Sequence, residues 1–505
     1  MKDIFSIAVN IHDHNTYNGK WHNQVERHNR LKHNLNPLNS HDTTPSREFF
    51  TNEFLPNYNK SLENDSVFSF TVSNLGQEFV RDMLEDTLGD LKFIDFKPTN
   101  LWDHYQTENY YYIDHHQSHA AYAFLSSGYE ESDILAIDGR GWQFNCIFVG
   151  KDGTITDLSS ELSIGGLWNR LSQDIGFGYL GAGKTMGLSG FGKYNEEVKD
   201  MINQYLENPN HKLPKSAKDI LSRVSKEDVA YTLQHMTELL IEEYVYPLKT
   251  CDSICIAGGV SYNGYMNERF TKHYTNVHVP PAVGDEGQSL GTYMHADFMI
   301  NKNIHLPSVY AGKEWIVDDA MFEGFDATEM SMDQIFIDVA DAISKGSIVG
   351  WYQGKSESGN RALGNRSILA DPRNPNIKNI INSTIKRRED FRPFAPSVLE
   401  DFYQDYFDTN QPSPYMSRIM PVTSDAIPGV THVDGTARIQ TVTREMNETY
   451  YNLILEFYNI TGIPMLLNTS FNCQSPVVET PVEAFNTFCN TELDILVINN
   501  WIIKK

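Results

Sequence analysis

The sequence predicts an α/β protein made of two domains in series. Short apolar runs closed by Gly, Asp or Asn alternate with stretches of helical periodicity, the pattern of strands and helices packed in layers. A chain of 505 residues is too long for one core, since single cores stop growing at roughly 250–300 residues. The charge is also divided unevenly. The formal net charge is −25, yet residues 345–505 hold 15 basic and 17 acidic side chains and carry almost none of it.

In chain order, ILAID (134–138), SICIAGG (253–259), SIVGWYQG (347–354), PMLLN (464–468) and DILVIN (494–499) are apolar runs of strand length, expected to be buried strands. Residues 79–91 and 229–248 repeat apolar side chains at three and four positions, the stripe of a helix buried on one side. The stretch 301–345 mixes loop, with Pro307 and Gly312, and the helix-like MDQIFIDVADAI. It places the domain boundary near 330–345 and divides the chain into 1–335 and 336–505. There is no tandem repeat and no low-complexity tract.

Seven Trp and 26 Tyr within a 40% hydrophobic composition exclude a disordered chain. No apolar run approaches the ~18 residues that cross a bilayer, and the start lacks the apolar core of a secretion signal. A cytoplasmic protein with no membrane partner is therefore expected. Of the five cysteines (Cys146, Cys251, Cys255, Cys473 and Cys489) only Cys251 and Cys255 are close in sequence, so neither a disulfide framework nor a zinc ribbon fits. The acidic balance disfavours a grip on duplex nucleic acid, which depends on neutralising phosphates. Against it, residues 355–392 hold nine basic side chains and four acidic ones, one basic patch on an acidic body.

Candidate chemistry falls into two groups. In DHHQSHAAYAF (114–124), Asp114 is a good helix N-cap, and His115 and His119 then share one helical face, one turn apart, where two imidazoles can chelate a transition metal. Asp138, Gly139 and Gly141 stand where a strand ends in a Gly-containing turn, which brings N–H groups to a phosphate and a carboxylate to a metal. GAGKTMGLSGFG (181–192) with Lys184 is a further glycine-rich element. IAGGVSYN (256–263), with Gly258, Gly259 and Asn263, offers paired glycines to a flat ligand, and VGDEGQSLG adds Asp285. The second group is cationic. Arg361 and Arg366 lie among small residues, and Lys386, Arg388 and Arg392 lie beside prolines and aromatics. Guanidinium forks converging on one pocket suit a small anion such as a nucleoside triphosphate or an acyl phosphate. Ser470 and Asn472, in NTSFN (468–472), add hydroxyl and amide groups.

The ordered set resembles the NodU/TobZ-type O-carbamoyltransferases. HDHN near the start, HHQSHAA, IDGRG, GKTMGLSGFG, AGGVSYN, GDEGQSLG, RALGNRSILADPR, REDFRPFAPS and LLNTSFN carry the resemblance through nearly the whole chain. Asn360 stands where the family has proline, and Trp142 and Gln143 follow IDGRG where a glutamate is common. The resemblance implies a TsaD-like domain of actin-like ATPase fold followed by a YrdC-like α/β domain, the latter through Lys386 and Arg388 and through residues 469–472. It implies that ATP and carbamoyl phosphate form carbamoyl-adenylate at the second domain, and that the carbamoyl group then passes to a hydroxyl at the first. His115, His119, Asp138 and Asp285 would hold a divalent metal. The resemblance favours iron, while imidazole and carboxylate donors suit zinc and manganese as well, and magnesium is a further alternative. His12 would stand near the transferred carbamoyl group, with His14 as the competing choice.

The expected acceptor is a hydroxylated small molecule or a hydroxymethylated nucleotide or DNA base, reached without a basic nucleic-acid surface; a homodimer is an open alternative. Two competing readings are synthesis of threonylcarbamoyl-adenosine in tRNA, disfavoured by the missing basic surface, and a non-catalytic nucleotide-binding regulator, disfavoured by the metal-type residues and the arginines.

Overall fold

The computed structural model describes residues 113–138, 147–158, 164–179, 181–208, 211–304 and 306–505, with the strands Ile4–Val9, His14–Tyr17, His22–Gln24, Val67–Val72, Tyr105–Gln106 and Tyr110–Tyr112. It is a mixed α/β molecule, and the described strands form three sheets. The helix expected over 79–91 lies outside the described residues.

The first sheet runs His22–Gln24, His14–Tyr17, Ile4–Val9, Val67–Val72, Tyr110–Tyr112, Tyr105–Gln106. The second runs Asn276–His278, Ser253–Ala257, Glu131–Ala136, Ile147–Lys151, Thr154–Asp157. Both repeat one topology. Three consecutive strands form an antiparallel meander, and two later strands add in parallel beside the first of the three; the first sheet alone has a sixth strand, Tyr105–Gln106, antiparallel at its edge. No sequence repeat announces this duplication.

Two helices, His115–Ser127 and Gln288–Asn301, share one core with both sheets, in which Ile4 and Tyr111 come from the first and Ile134, Ala136, Cys255 and Ala257 from the second. The other side of the second sheet buries Leu135, Ile254 and Ile256 under the helices that follow, among them Lys226–Val245. Alternate residues of 134–136 and 254–257 thus enter different cores, which is why these strands read as continuous apolar runs.

The third sheet has nine strands: Asp326–Glu329, Trp501–Lys504, Ile495–Ile498, Val349–Tyr352, Arg366–Ala370, Met465–Ser470, Ala395–Leu399, Thr436–Val442, Arg418–Pro421. It too is covered on both faces. Val349, Trp351, Leu369 and Val497 pack under the helices Met332–Ser344 and Glu448–Thr461, while Tyr352, Ile368, Leu467 and Ile498 pack on the opposite side. Among the described residues no helix is long and apolar enough to cross a membrane, and Cys251, Cys255, Cys473 and Cys489 are free thiols.

The two halves interlock through the helix Gly264–Arg269 and the strand Arg418–Pro421. A Cβ on Gly264 would stand 2.7 Å from Ile419 Cγ1, and Asn267 Nδ2 donates to the Ser417 carbonyl at 2.8 Å. Arg418, almost wholly buried, pairs with Glu268 at 3.2 Å. The Gln411 side chain accepts from Val277 N and donates to the Tyr274 carbonyl, both at 3.0 Å. The contact leaves a cavity of about 1410 Å³ bordered by both halves.

Candidate active site

One wall of the cavity is the metal-type cluster. The Asp114 carboxylate accepts from His116 N at 2.9 Å and starts the helix His115–Ser127, which Gly128 ends in the left-handed conformation (φ 74°). That helix directs His115 Nε2 and His119 Nε2 at Asp138 Oδ2, 3.1 and 3.3 Å away, and at Asp285 Oδ1, 3.6 and 3.4 Å away. The four ligand atoms lie within 4.8 Å of one another. Two buried imidazoles and two carboxylates make a mixed nitrogen and oxygen set suited to a first-row divalent metal, so these residues fit one.

The protonation of these groups follows from their closeness. Burial alone would lower the His119 pKa, but hydrogen bonds to Asp138 and Asp285 outweigh it and raise the value to about 9. Burial would raise the Asp138 pKa, but His115 and His119 hold it well below the usual carboxylate range. Gln288 braces the pair, its Nε2 lying 2.7 Å from His115 Nδ1 and 3.0 Å from His119 Nε2. Asp138 is seated by the glycines at 258 and 259. Gly258 has φ 89°, and a Cβ there would stand 2.3 Å from the Ile137 carbonyl; one on Gly259 would stand 2.8 Å from Asp138 Oδ1. Asn263 borders the cavity, and its amide is engaged with that of Gln234 at 2.8 and 3.0 Å.

The opposite wall is cationic. The chain from Ile381 to Lys386 forms a π-helical turn, and Arg387 closes it in the left-handed conformation (φ 48°). Lys386 is thereby buried, with Nζ donating to the Ser470 carbonyl, to Ser470 Oγ at 3.2 Å and to Asn472 Oδ1 at 2.6 Å. Burial first, then the charges of Arg388 and Arg392, hold its pKa well below the usual lysine range. Arg388 donates from Nε to Asn382 Oδ1 at 2.7 Å and lies over the Phe394 ring at 4.9 Å. Arg392 stands 3.9 Å from the Glu389 carboxylate. Lys184 crosses from the first half to the same Glu389 at 2.7 Å.

Arg361 reaches this wall on a turn with a rigid base. Glu357 is fully buried, and its Oε1 accepts from the backbone N–H groups of Leu363, Asn365 and Arg366 at 2.7, 2.9 and 3.1 Å. Gly359 (φ 88°) presses the turn against the first half, where a Cβ would stand 2.1 Å from the Pro281 carbonyl. Arg366 does not join the cavity. Its guanidinium is buried over the Tyr352 ring at 3.6 Å and donates to the carbonyls of Gln353, Asn365 and Gly354 at 2.8 to 3.0 Å.

Sequence reasoning missed Arg438, a cavity residue on the strand Thr436–Val442. Its Nε has no hydrogen-bond partner, and burial together with Arg361, Arg388 and Arg392 drives its pKa well below the usual range. A guanidinium does not give up its proton at physiological pH, so Arg438 keeps its charge beside three others. Glu357, Gln288, Tyr262 and Glu286 were missed too. His12, Gly139 and Gly141, and the side chain of His14, lie outside the described residues.

Residues 39–294 match the family model described as Carbamoyltransferase N-terminus, and 340–505 match Carbamoyltransferase C-terminus. The chain belongs to the carbamoyltransferase family. This carbamoyltransferase is 34% identical over 435 residues to nodulation protein NolNO of Sinorhizobium fredii, covering 78% of this chain and 64% of that one. It is 32% identical over 435 residues to nodulation protein NolO of Bradyrhizobium diazoefficiens, covering 78% and 79%. An uncharacterized protein of Synechocystis is 31% identical over 496 residues, covering 83% and 78%. Among solved structures, a Ppx/GppA phosphatase of Aquifex aeolicus aligns with 51% of this chain and 95% of its own at a TM-score of 0.21, a likeness too slight to carry an argument.

Proposed function

We propose that this carbamoyltransferase is ATP-dependent, takes carbamoyl phosphate as donor and carbamoylates a hydroxyl group of a small molecule or of a hydroxymethylated nucleotide. The observation that carries this reading is that the metal-type cluster and the cation cluster border the same cavity. An activated carbamoyl group made against one wall can reach the other across a single cavity, so the two pockets expected from the sequence act as two ends of one chamber. The duplicated sheet topology supports an actin-like nucleotide-binding first half, and the setting of Lys386 against Ser470 and Asn472 supports a YrdC-like second half.

The reaction balances in three parts. Water converts carbamoyl phosphate to carbamate and inorganic phosphate. A carbamate oxygen attacks the α-phosphorus of ATP, and pyrophosphate departs. The acceptor oxygen then attacks the carbamoyl carbon, its proton leaves, and AMP departs. Arg361, Arg388, Arg392 and Arg438 supply oriented positive charge for the phosphates, and Lys386 holds Ser470 and Asn472 in place. His115, His119, Asp138 and Asp285 would hold a divalent metal, which supplies Lewis-acid stabilisation of phosphate charge. His12, with His14 as alternative, is the proposed acceptor of the hydroxyl proton, a role worth about 10² to 10⁴-fold.

The test is to incubate the protein with a divalent metal, ATP, carbamoyl phosphate and a panel of hydroxyl compounds that includes hydroxymethylated nucleosides. Pyrophosphate release and a mass gain of one carbamoyl group on an acceptor are expected. Absence of both pyrophosphate and carbamoylated product would refute the reading.

A further inference from the structure

Arg361 differs from its cationic neighbours in how it is held. Among the described residues its guanidinium has no hydrogen bond and no ion pair; it lies over the Tyr262 ring, 5.3 Å from the centroid. The Tyr262 hydroxyl in turn donates to Glu286 Oε1, which also accepts from Gly284 N at 3.2 Å. Glu286 is 5% exposed and is the chain neighbour of Asp285. Burial lowers the Arg361 pKa, while Tyr262 and then Glu286 act against that, so the carboxylate is felt by the guanidinium without touching it. Tyr262, Glu286 and Arg361 all border the cavity.

A contact with the face of a ring occupies none of a guanidinium's N–H groups as hydrogen-bond donors, so they stay available to a ligand. A direct pair with Glu286 would do the reverse, consuming those donors in a buried ion pair. We propose that Tyr262 is a positioning residue whose ring spaces Arg361 from Glu286, keeping the Arg361 donors open to a phosphate-bearing ligand. The proposal rests on the cation cluster binding phosphate, as read above, and adds how one of its members is kept competent.

The test is titration calorimetry with inorganic pyrophosphate on the full chain. Tyr262→Phe keeps the ring and retains the wild-type affinity within about twofold, whereas Tyr262→Leu weakens it roughly tenfold. Adding Glu286→Gln to Tyr262→Leu removes the competing carboxylate and restores the affinity to within about threefold of wild type. A purely structural role for Tyr262 would make the double variant worse than the single one. Unchanged affinity in Tyr262→Leu, no recovery in the double variant, or no pyrophosphate binding by the wild-type chain would each overturn the proposal. Pyrophosphate binding that follows this pattern, without any pyrophosphate release from ATP and carbamoyl phosphate, would refute the adenylation reading and leave the proposal standing.

Discussion

At the scale of single residues, the cavity collects like charges that fold stability alone would not favour. Arg438 is the clearest instance, since its Nε is unpartnered and its charged neighbours are Arg361, Arg388 and Arg392. Arg438→Met relieves that repulsion, so thermal denaturation should show an apparent melting temperature higher by about 2 °C. The same variant should lower pyrophosphate release by at least roughly tenfold, the loss expected for one charged contact. Gln288 gives a second prediction. Gln288→Leu leaves all four donor side chains in place but removes the amide that braces both imidazoles. Divalent-metal affinity, measured by competition with a chelator, should fall about 10 to 100-fold.

Residues also show where the sequence was and was not readable. His115 and His119 were legible because an N-cap and a four-residue spacing leave little freedom in where two imidazoles point. Arg366 reads as a ligand arginine because an arginine among small residues looks the same whether it faces a phosphate or backbone carbonyls; only the fold reveals that it faces Gln353, Gly354 and Asn365. Arg438 was hidden for the opposite reason. TARIQTV is an ordinary alternating strand, and its single arginine marks the outward face of almost any sheet.

At the scale of elements, strands 349–352 and 495–498 were visible in advance because both of their faces are buried, which forces an unbroken apolar run. The π-helical turn Ile381–Lys386 was not visible, because one extra residue per turn leaves no periodic trace in six residues. That turn places Lys386 inward and requires Arg387 at positive φ. A residue without a Cβ adopts that conformation more easily, so Arg387→Gly is expected to be neutral or slightly stabilising in denaturant titration. Arg387→Val should cost about 1–2 kcal/mol. Asp114 is the corresponding test on the opposite wall. Asp114→Ala removes the cap that accepts from His116 N and Gln117 N and should cost about 1 kcal/mol of stability, read in the same titration.

At the scale of the whole molecule, the proposed chemistry depends on the two halves staying in contact along Gly264–Arg269 and Arg418–Pro421. Gly264→Leu pushes a side chain into the space of Ile419, the strand partner of Arg438, and should open the seam with every residue of the two clusters unsubstituted. Pyrophosphate release would then continue while less of the activated group reaches the acceptor. The measured ratio of pyrophosphate to carbamoylated product should rise above that of the wild type; an unchanged ratio would argue that the seam does not confine the intermediate.

The Arg418–Glu268 pair also limits how this protein can be taken apart. Expressed alone, residues 340–505 would present a cation built for an enclosed carboxylate, with Ile419 beside it stripped of its cover. The two parts are therefore poor candidates for exchange with relatives as independent cassettes. Any chimera would have to carry Glu268 and Arg418 across together, as one inherited unit whose members lie on opposite sides of the splice.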